Sequence, residues 1–238
     1  MEKLKHAAME VKDKTIQGSE RKSGNEKQIL RHEKELQRLN EMYLYEKEAF
    51  GQGLEFVAGM DEAGRGPLAG PVVAACVILP KDCLIEGVND SKKLSPAKRE
   101  KLYDIIMEQA ISVGIGIVDE KTIDEINILN ATKMAMKMAV ERVCPKPQLI
   151  LIDAVGLDDI DIPQKAIVKG DMLSISIASA SIIAKVTRDR MIMEADKKYP
   201  VYGFSRHKGY GTKQHIDAIK KYGICPIHRV SFTRHFTM

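Results

Sequence analysis

The chain has 238 residues, a formal net charge of +4, 44% hydrophobic and 29% charged side chains, which suits one sizeable globular core and excludes collagen-like or wholly disordered classes. The mild positive balance permits a polyanionic partner without demanding one. The four cysteines, Cys76, Cys83, Cys144 and Cys225, form no C-x-x-C pair, so a zinc knuckle and a disulfide framework are both unsupported, and a reduced cytoplasmic setting is expected. No signal-peptide pattern opens the chain and no apolar run reaches membrane-spanning length, so no membrane association is expected.

Residues 1–50 are rich in Glu, Lys, Gln and Arg. Ile29, Leu36, Leu39 and Tyr43 recur at helical spacing within "QILRHEKELQRLNEMYLYEKEAF". This reads as a polar, largely helical extension, with its first twenty-odd residues, ending "SERKSGNE", poorly ordered. A coiled coil is one use for the helix, but His32 and Glu46 interrupt the seam, and docking on the body is favoured. Removal of the extension is expected to spare chemistry.

Residues 51–238 read as one α/β domain. "LEFVAGMDE", "PVVAACVILP" and "ISVGIGIVDE" are apolar, β-branched runs bounded by turn residues, hence three strands. "SPAKREKLYDIIMEQA" lies between the second and third and has a Ser95-Pro96 helix start. "TIDEINILNATKMAMKMAVERV" is expected to be a long helix opened by a Thr122-x-x-Glu125 capping box. Two further strands, "PQLILIDAV" and "QKAIVKGD", flank an acidic loop. "SISIASASIIAKVTRDRMIMEADKKY" then reads as a helix whose small residues allow close packing on a sheet. A helix at "TKQHIDAIKKYG" and a polar, basic tail close the chain. Strands that meet early and then alternate with helices imply a mixed sheet.

Asp-Glu occurs three times in this body, which gives an internal comparison. Asp124-Glu125 falls in a first helical turn, where negative charge meets the helix dipole, and Asp119-Glu120 in a polar turn. Asp61-Glu62 differs, because the apolar "FVAGM" runs straight into it and "AGRG" follows. Asp153 and Asp171 end two other apolar runs. Each alone could be a strand stop, but together they suggest convergence at the sheet edge where α/β folds bind ligands. Clustered carboxylates are reasonable around Mg²⁺ or Mn²⁺, which prefer oxygen ligands, and two such ions can assist phosphoryl displacement.

Arg65, Lys92, Lys93, Lys169, Lys185, Arg188 and Lys208 surround these acids in sequence and would suit a phosphate backbone, although each alone is an ordinary solvated charge. Tyr210, between glycines, could stack on a sugar or base or pack on its own loop. "GRGPLAGP" is no P-loop: it lacks the G-x-x-x-x-G-K-[ST] arrangement, and its prolines remove donors. The histidines show no zinc-protease spacing. Ser176, Ser179 and Ser181 read as packing residues.

The ordered set "GMDEAGRGPLAGPVV", "NDSKKLS", "DEINILNAT", "LILIDA", "VKGD", "IIAKVTRDR", "YGFSRHKGYGT" and "HRVSF", from Leu54 to Phe232, resembles bacterial ribonuclease HII, the type 2 ribonuclease H. The resemblance implies a ribonuclease H-like fold: a five-stranded mixed sheet flanked by helices with a helical C-terminal part. It implies that Asp61, Glu62, Asp153 and Asp171 bind Mn²⁺ or Mg²⁺ and are catalytic. Gly64, Arg65 and Gly66 would read a ribonucleotide's 2′-hydroxyl, with Tyr210 stacking beneath the neighbouring deoxyribose. Asp171 and the intact "GRG" favour type HII over the sister type HIII. The implied activity is endonucleolytic hydrolysis of RNA in RNA-DNA hybrids and 5′ of ribonucleotides embedded in duplex DNA, by a monomer. A non-catalytic hybrid-binding protein using the same groove is the rival reading.

Overall fold

The computed structural model describes residues 27–153, 156–158 and 160–236. The expectation that the first twenty-odd residues are poorly ordered lies outside these. A five-stranded sheet forms the centre: β1 (Val57–Ala63), β2 (Val72–Ile78), β3 (Ser112–Val118), β4 (Leu149–Asp153) and β5 (Gln164–Ile167), in spatial order β3-β2-β1-β4-β5. β1 runs antiparallel to β2 and parallel to β4, so the sheet is mixed.

Between these strands and beyond them run α1 (27–42), α2 (Leu44–Gly51), α3 (Pro96–Gln109), α4 (Glu120–Glu141), α5 (Gly170–Leu173), α6 (Ile175–Lys198), α7 (Phe204–His207), α8 (Lys213–Tyr222) and α9 (Val230–Thr233). α4 covers one face, packing Ala135, Met136 and Ala139 against Ala74, Cys76 and Ile78 of β2. α1, α3 and α6 cover the other, against Val73, Ala75 and Val77. With both faces covered, β2 is buried along its whole length, as its unbroken "VVAACVI" requires. α6 lies so close to β1 that a Cβ on Gly59 would fall 2.0 Å from the Ser176 carbonyl carbon. This approach explains the small residues of "SISIASAS"; Ser176 and Ser179 are buried packing residues there, whereas Ser181 bonds the Ser91 hydroxyl at 2.9 Å and lines a cleft.

α1 docks on the body. Leu39, Met42 and Tyr43 are buried in the α3/α6 core, each side chain stabilising the contact by about 2 kcal/mol through removal from water. Ile29 and Leu30 are exposed in the first turn of α1.

Several local expectations change. The cap of α4 is Asp119, whose carboxylate accepts the Thr122 N–H at 2.9 Å, in place of a Thr122 box. The helix is broken at Asn127, where φ is 67°, and Asn127 Oδ1 recaps the second segment through Leu129 and Asn130 N–H. Asp124 serves the far end of the chain, accepting the N–H groups of Val230 and Ser231 at 2.7 and 2.9 Å. The fifth strand stops at Ile167, so Asp171 is carried by one-turn α5 rather than by a strand end.

The C-terminal segment, read from sequence as a polar, basic tail, is tied into the body. Arg229 is 0% exposed and donates to the carbonyls of Gly70, Arg65 and Gly64 at 2.9, 3.0 and 2.6 Å. Arg188, expected from sequence to touch substrate, is likewise 0% exposed. It donates to Pro71, Lys208 and Ala69 carbonyls, each at 3.0 Å. Its guanidinium is therefore spent inside the protein, joining the 64–71 loop to the 208–210 turn. Gly64, at φ 100°, admits it: a Cβ there would stand 2.3 Å from Arg188 Nε. Burial pulls Arg188 down, and burial with the repulsion of Arg188 brings Arg229 to about 10.

Beside this clamp, His207, His215 and His228 come together. His215 Nδ1 meets the Tyr210 carbonyl at 2.9 Å and His215 Nε2 meets His228 Nε2 at 3.0 Å. One tautomer set satisfies the chain: Cys225 N–H donates to His228 Nδ1, His228 Nε2–H to His215 Nε2, and His215 Nδ1–H to Tyr210. It requires both rings neutral, and burial brings each to about 4.

Two outcomes are expected. Arg229→Met, which strands the Gly64, Arg65 and Gly70 carbonyls, should lower unfolding free energy by about 3 kcal/mol in urea titrations, with Arg229→Lys losing less. Because His215 and His228 are depressed from 6.5, the unfolded chain binds more protons between pH 6.5 and 4. The stability they contribute is present above that window and is lost as pH falls through it. The loss of Tm from pH 6.5 to 4 should be smaller in His228→Gln than in the parent.

Candidate active site

β1 and β4 are parallel neighbours paired Met60 to Ile152; one further step in register brings Asp61 alongside Asp153. Asp153 Oδ1 accepts the Gly170 N–H at 2.9 Å, which folds the chain after β5 back toward the sheet and delivers Asp171. The four acids expected from sequence thus lie on β1, β4 and α5 at one edge of the sheet.

Asp61 is 7% exposed, and its Oδ1 accepts the Glu62 N–H at 2.8 Å. Burial, then the Glu62 and Asp153 charges, pushes its carboxyl well above the ordinary range, with Ser181 opposing. Glu62 is raised by burial and by Asp153, against the pull of Arg65, whose Nη1 lies 3.3 Å from Glu62 Oε1, and of Lys92. Asp171 is raised by burial and by Asp90 and Asp153, against Lys92. Burial alone would lower Lys92, but Asp171, Asp61, Asp90 and Asp153 together carry it above its usual value. The mutual influence identifies one shared field of five carboxylates around one ammonium.

The acids are brought near one another without closing into a cage. Among the described residues no three His, Cys, Asp or Glu side chains form a ligand set. Their oxygens are partly occupied by the Glu62 and Gly170 amides and by Arg65.

A cleft of about 180 Å³ runs from Asp61 and Glu62 past Arg65, Ser91 and Lys92 to Tyr210. The GRG turn of Gly64, Arg65 and Gly66 forms one wall. Arg229 draws the carbonyls of Gly64 and Arg65 inward, and among the described residues no hydrogen bond claims the N–H of Gly64, Arg65 or Gly66. Tyr210 is 45% exposed, its ring free of its own loop's core.

The other expected cations divide. Lys93 is exposed, with Nζ 3.7 Å from Met172 sulfur, and Lys169 is exposed in a left-handed turn at φ 58°. Lys185 lines the cleft with its ammonium paired to Asp189 at 2.6 Å, and Lys208 closes its own turn on the Ser205 carbonyl at 2.7 Å. Asp90 was not singled out from sequence, and Ser181, read there as a packing residue, lines the cleft beside Asp61. Asp90 caps the 91–93 turn through Lys92 N–H, and "ND" before Ser reads as a turn signal whether or not acids lie nearby.

Residues 58–235 match the family model described as Ribonuclease HII. The chain is 69% identical over 211 residues to Ribonuclease HII of Acetivibrio thermocellus, covering 89% of this chain and 82% of that one. It is 60% identical over 206 residues to that of Ruminiclostridium cellulolyticum, covering 87% and 81%. The crystal structure of ribonuclease H2 from Pyrococcus horikoshii superposes with a TM-score of 0.64 at 31% identity, covering 76% of this chain and 97% of that chain. The chain therefore belongs to the ribonuclease HII family of RNase H endonucleases.

Proposed function

We propose that this endonuclease hydrolyses the RNA strand of RNA-DNA hybrids and cuts duplex DNA on the 5′ side of an embedded ribonucleotide, leaving 3′-hydroxyl and 5′-phosphate ends. The observation that carries this reading is the cleft itself. Asp61 and Glu62, the unclaimed amides of Gly64, Arg65 and Gly66, and the exposed Tyr210 all line one continuous surface.

The donor set fits a divalent cation. Four carboxylates supply hard oxygen ligands, and three of them are held above their usual range by burial and by one another, a strain that a divalent charge relieves. Asp61, Glu62, Asp153 and Asp171 would hold Mg²⁺ or Mn²⁺. When bound, the ion supplies Lewis-acid activation of water and of the phosphoryl oxygen.

The chain's own residues do the rest. The Gly64–Gly66 amides donate to the ribose 2′-hydroxyl and the adjoining phosphate, the group that separates RNA from DNA. Arg65 holds Glu62 and faces the same phosphate. Tyr210 stacks on the deoxyribose that follows. Lys92, Lys93 and Lys169 line the approach for the phosphate backbone. In this reading residues 51–238 form the catalytic domain, which works as a cytoplasmic monomer in removal of ribonucleotides from DNA.

A duplex carrying one ribonucleotide, incubated with Mg²⁺ or Mn²⁺, should be nicked 5′ of the ribose; binding without a nick by folded protein contradicts the reading. Asp61→Asn and Asp171→Asn should each abolish nicking. In metal-free buffer at pH 7, Asp61→Asn should also raise Tm, because it removes a charge that the fold disfavours as pH rises. Normal turnover by either variant rules out the metal role. Tyr210→Ala should blur the cleavage position or slow it while Mn²⁺ binding is retained; a wild-type pattern and rate would remove the tyrosine from site selection.

A further inference from the structure

Glu46 lies in the segment that sequence sets apart as an extension, yet it is 1% exposed. Its Oε1 accepts the Ser174 hydroxyl at 2.6 Å and the Ser176 N–H at 3.0 Å, while Oε2 is buried without a partner. A carboxylate is placed in a core at a cost, and here it is placed over the N-terminus of a 24-residue helix, where negative charge is favoured. Ser174 is both the last residue of the α5 turn and the cap of α6. Its N–H donates to Gly170 at 2.9 Å and its Oγ accepts from Ile177 N–H at 3.2 Å. Asp171 sits between Gly170 and Ser174, so whatever holds Ser174 holds the α5 turn.

The same segment grips the opposite wall of the site. Glu35 Oε1 accepts the Gly87 N–H at 2.7 Å, and Arg38 Nη2 donates to the Val88 carbonyl at 2.8 Å. That loop leads directly to Asp90 and Lys92. Lys165 of β5 is tied to α2 by Glu48 at 2.7 Å and by the Tyr45 ring at 4.9 Å.

We propose that Glu46 is a positioning residue for the active site: acting through Ser174, it fixes the turn that carries Asp171, while Glu35 and Arg38 fix the loop that carries Lys92. The helices at 27–51 are on this view part of the catalytic scaffold, so their removal does not spare the chemistry. The inference rests on the reading of Asp171 as a metal-holding acid.

The test titrates Mn²⁺ alone into the full chain, following free ion by EPR at a temperature where circular dichroism shows each variant folded. kcat and KM are measured separately on the single-ribonucleotide duplex. Glu46→Leu fills the same space without an acceptor and should weaken Mn²⁺ binding by ~10-fold or more and lower kcat, with KM for the duplex unchanged. Glu46→Gln keeps an acceptor oxygen and should recover most of both. A folded Glu46→Leu with parental Mn²⁺ affinity and kcat overturns the proposal. If that variant does not fold, Ser174→Ala removes the same bond from the other side and is judged by the same two outcomes. Asp171→Asn separates the causes. Should it bind Mn²⁺ as the parent does, the metal reading falls and this inference with it. Should it bind weakly while Glu46→Leu does not, the positioning role alone falls.

Discussion

Two guanidinium groups buried in cages of carbonyl oxygen hold the cleft-bearing half of this molecule together. Arg188 and Arg229 take six different carbonyls between them, and among the described residues neither has a carboxylate within ion-pair distance. A buried charge without a counter-ion survives only when every donor is satisfied, so the 64–71 loop and the 208–210 turn must adopt the conformations that offer those oxygens. The consequence reaches the surface. Gly64 and Arg65 carbonyls turned inward point the N–H groups of the same peptide planes, those of Arg65 and Gly66, the opposite way, and the tie of Lys208 and Ala69 through Arg188 sets the span from that turn to Tyr210.

The acidic edge follows the opposite logic. There, like charges are gathered and only partly compensated, so Asp61, Glu62 and Asp171 are each less acidic than a free carboxylate. Like charges gathered in this way cost the fold stability. The ties from Ser181 to Ser91 at 2.9 Å and from Asp153 to Gly170 keep the acids in place against their repulsion. Stability is supplied elsewhere, by the double-sided core around β2 and by the docked α1.

Much of the fold was legible because its elements announce themselves locally. The strands β1 to β4 are apolar runs bounded by turns, α3 and α8 begin at Ser95 and Thr212 caps, and the small residues of α6 record a close approach to Gly59. Errors arose where two local signals competed. Asp119 and Thr122 are both good caps, and the extended backbone at Asp119 decided between them; Asn127 broke a helix that its apolar spacing continues through. Asp171 was found by its position after an apolar run, although a helical turn and not a strand carries it.

Among the candidate site residues, the sequence by itself marked the family: four acids on three apolar runs, a glycine-arginine-glycine turn and a tyrosine between glycines, in a fixed order. Residue type and order carry that information directly. Which charges face the cleft was decided only by tertiary structure. Arg188, Lys92, Lys185 and Arg229 look alike along the chain, yet Arg188 and Arg229 are interior struts, Lys185 lines the cleft already paired with Asp189, and Lys92 stands amid the acids. The physical reason is that the role of a long cationic side chain depends on which carbonyls and carboxylates lie within its reach. Those partners, such as Gly64 for Arg229 or Ser174 for Glu46, lie more than a hundred residues away in sequence.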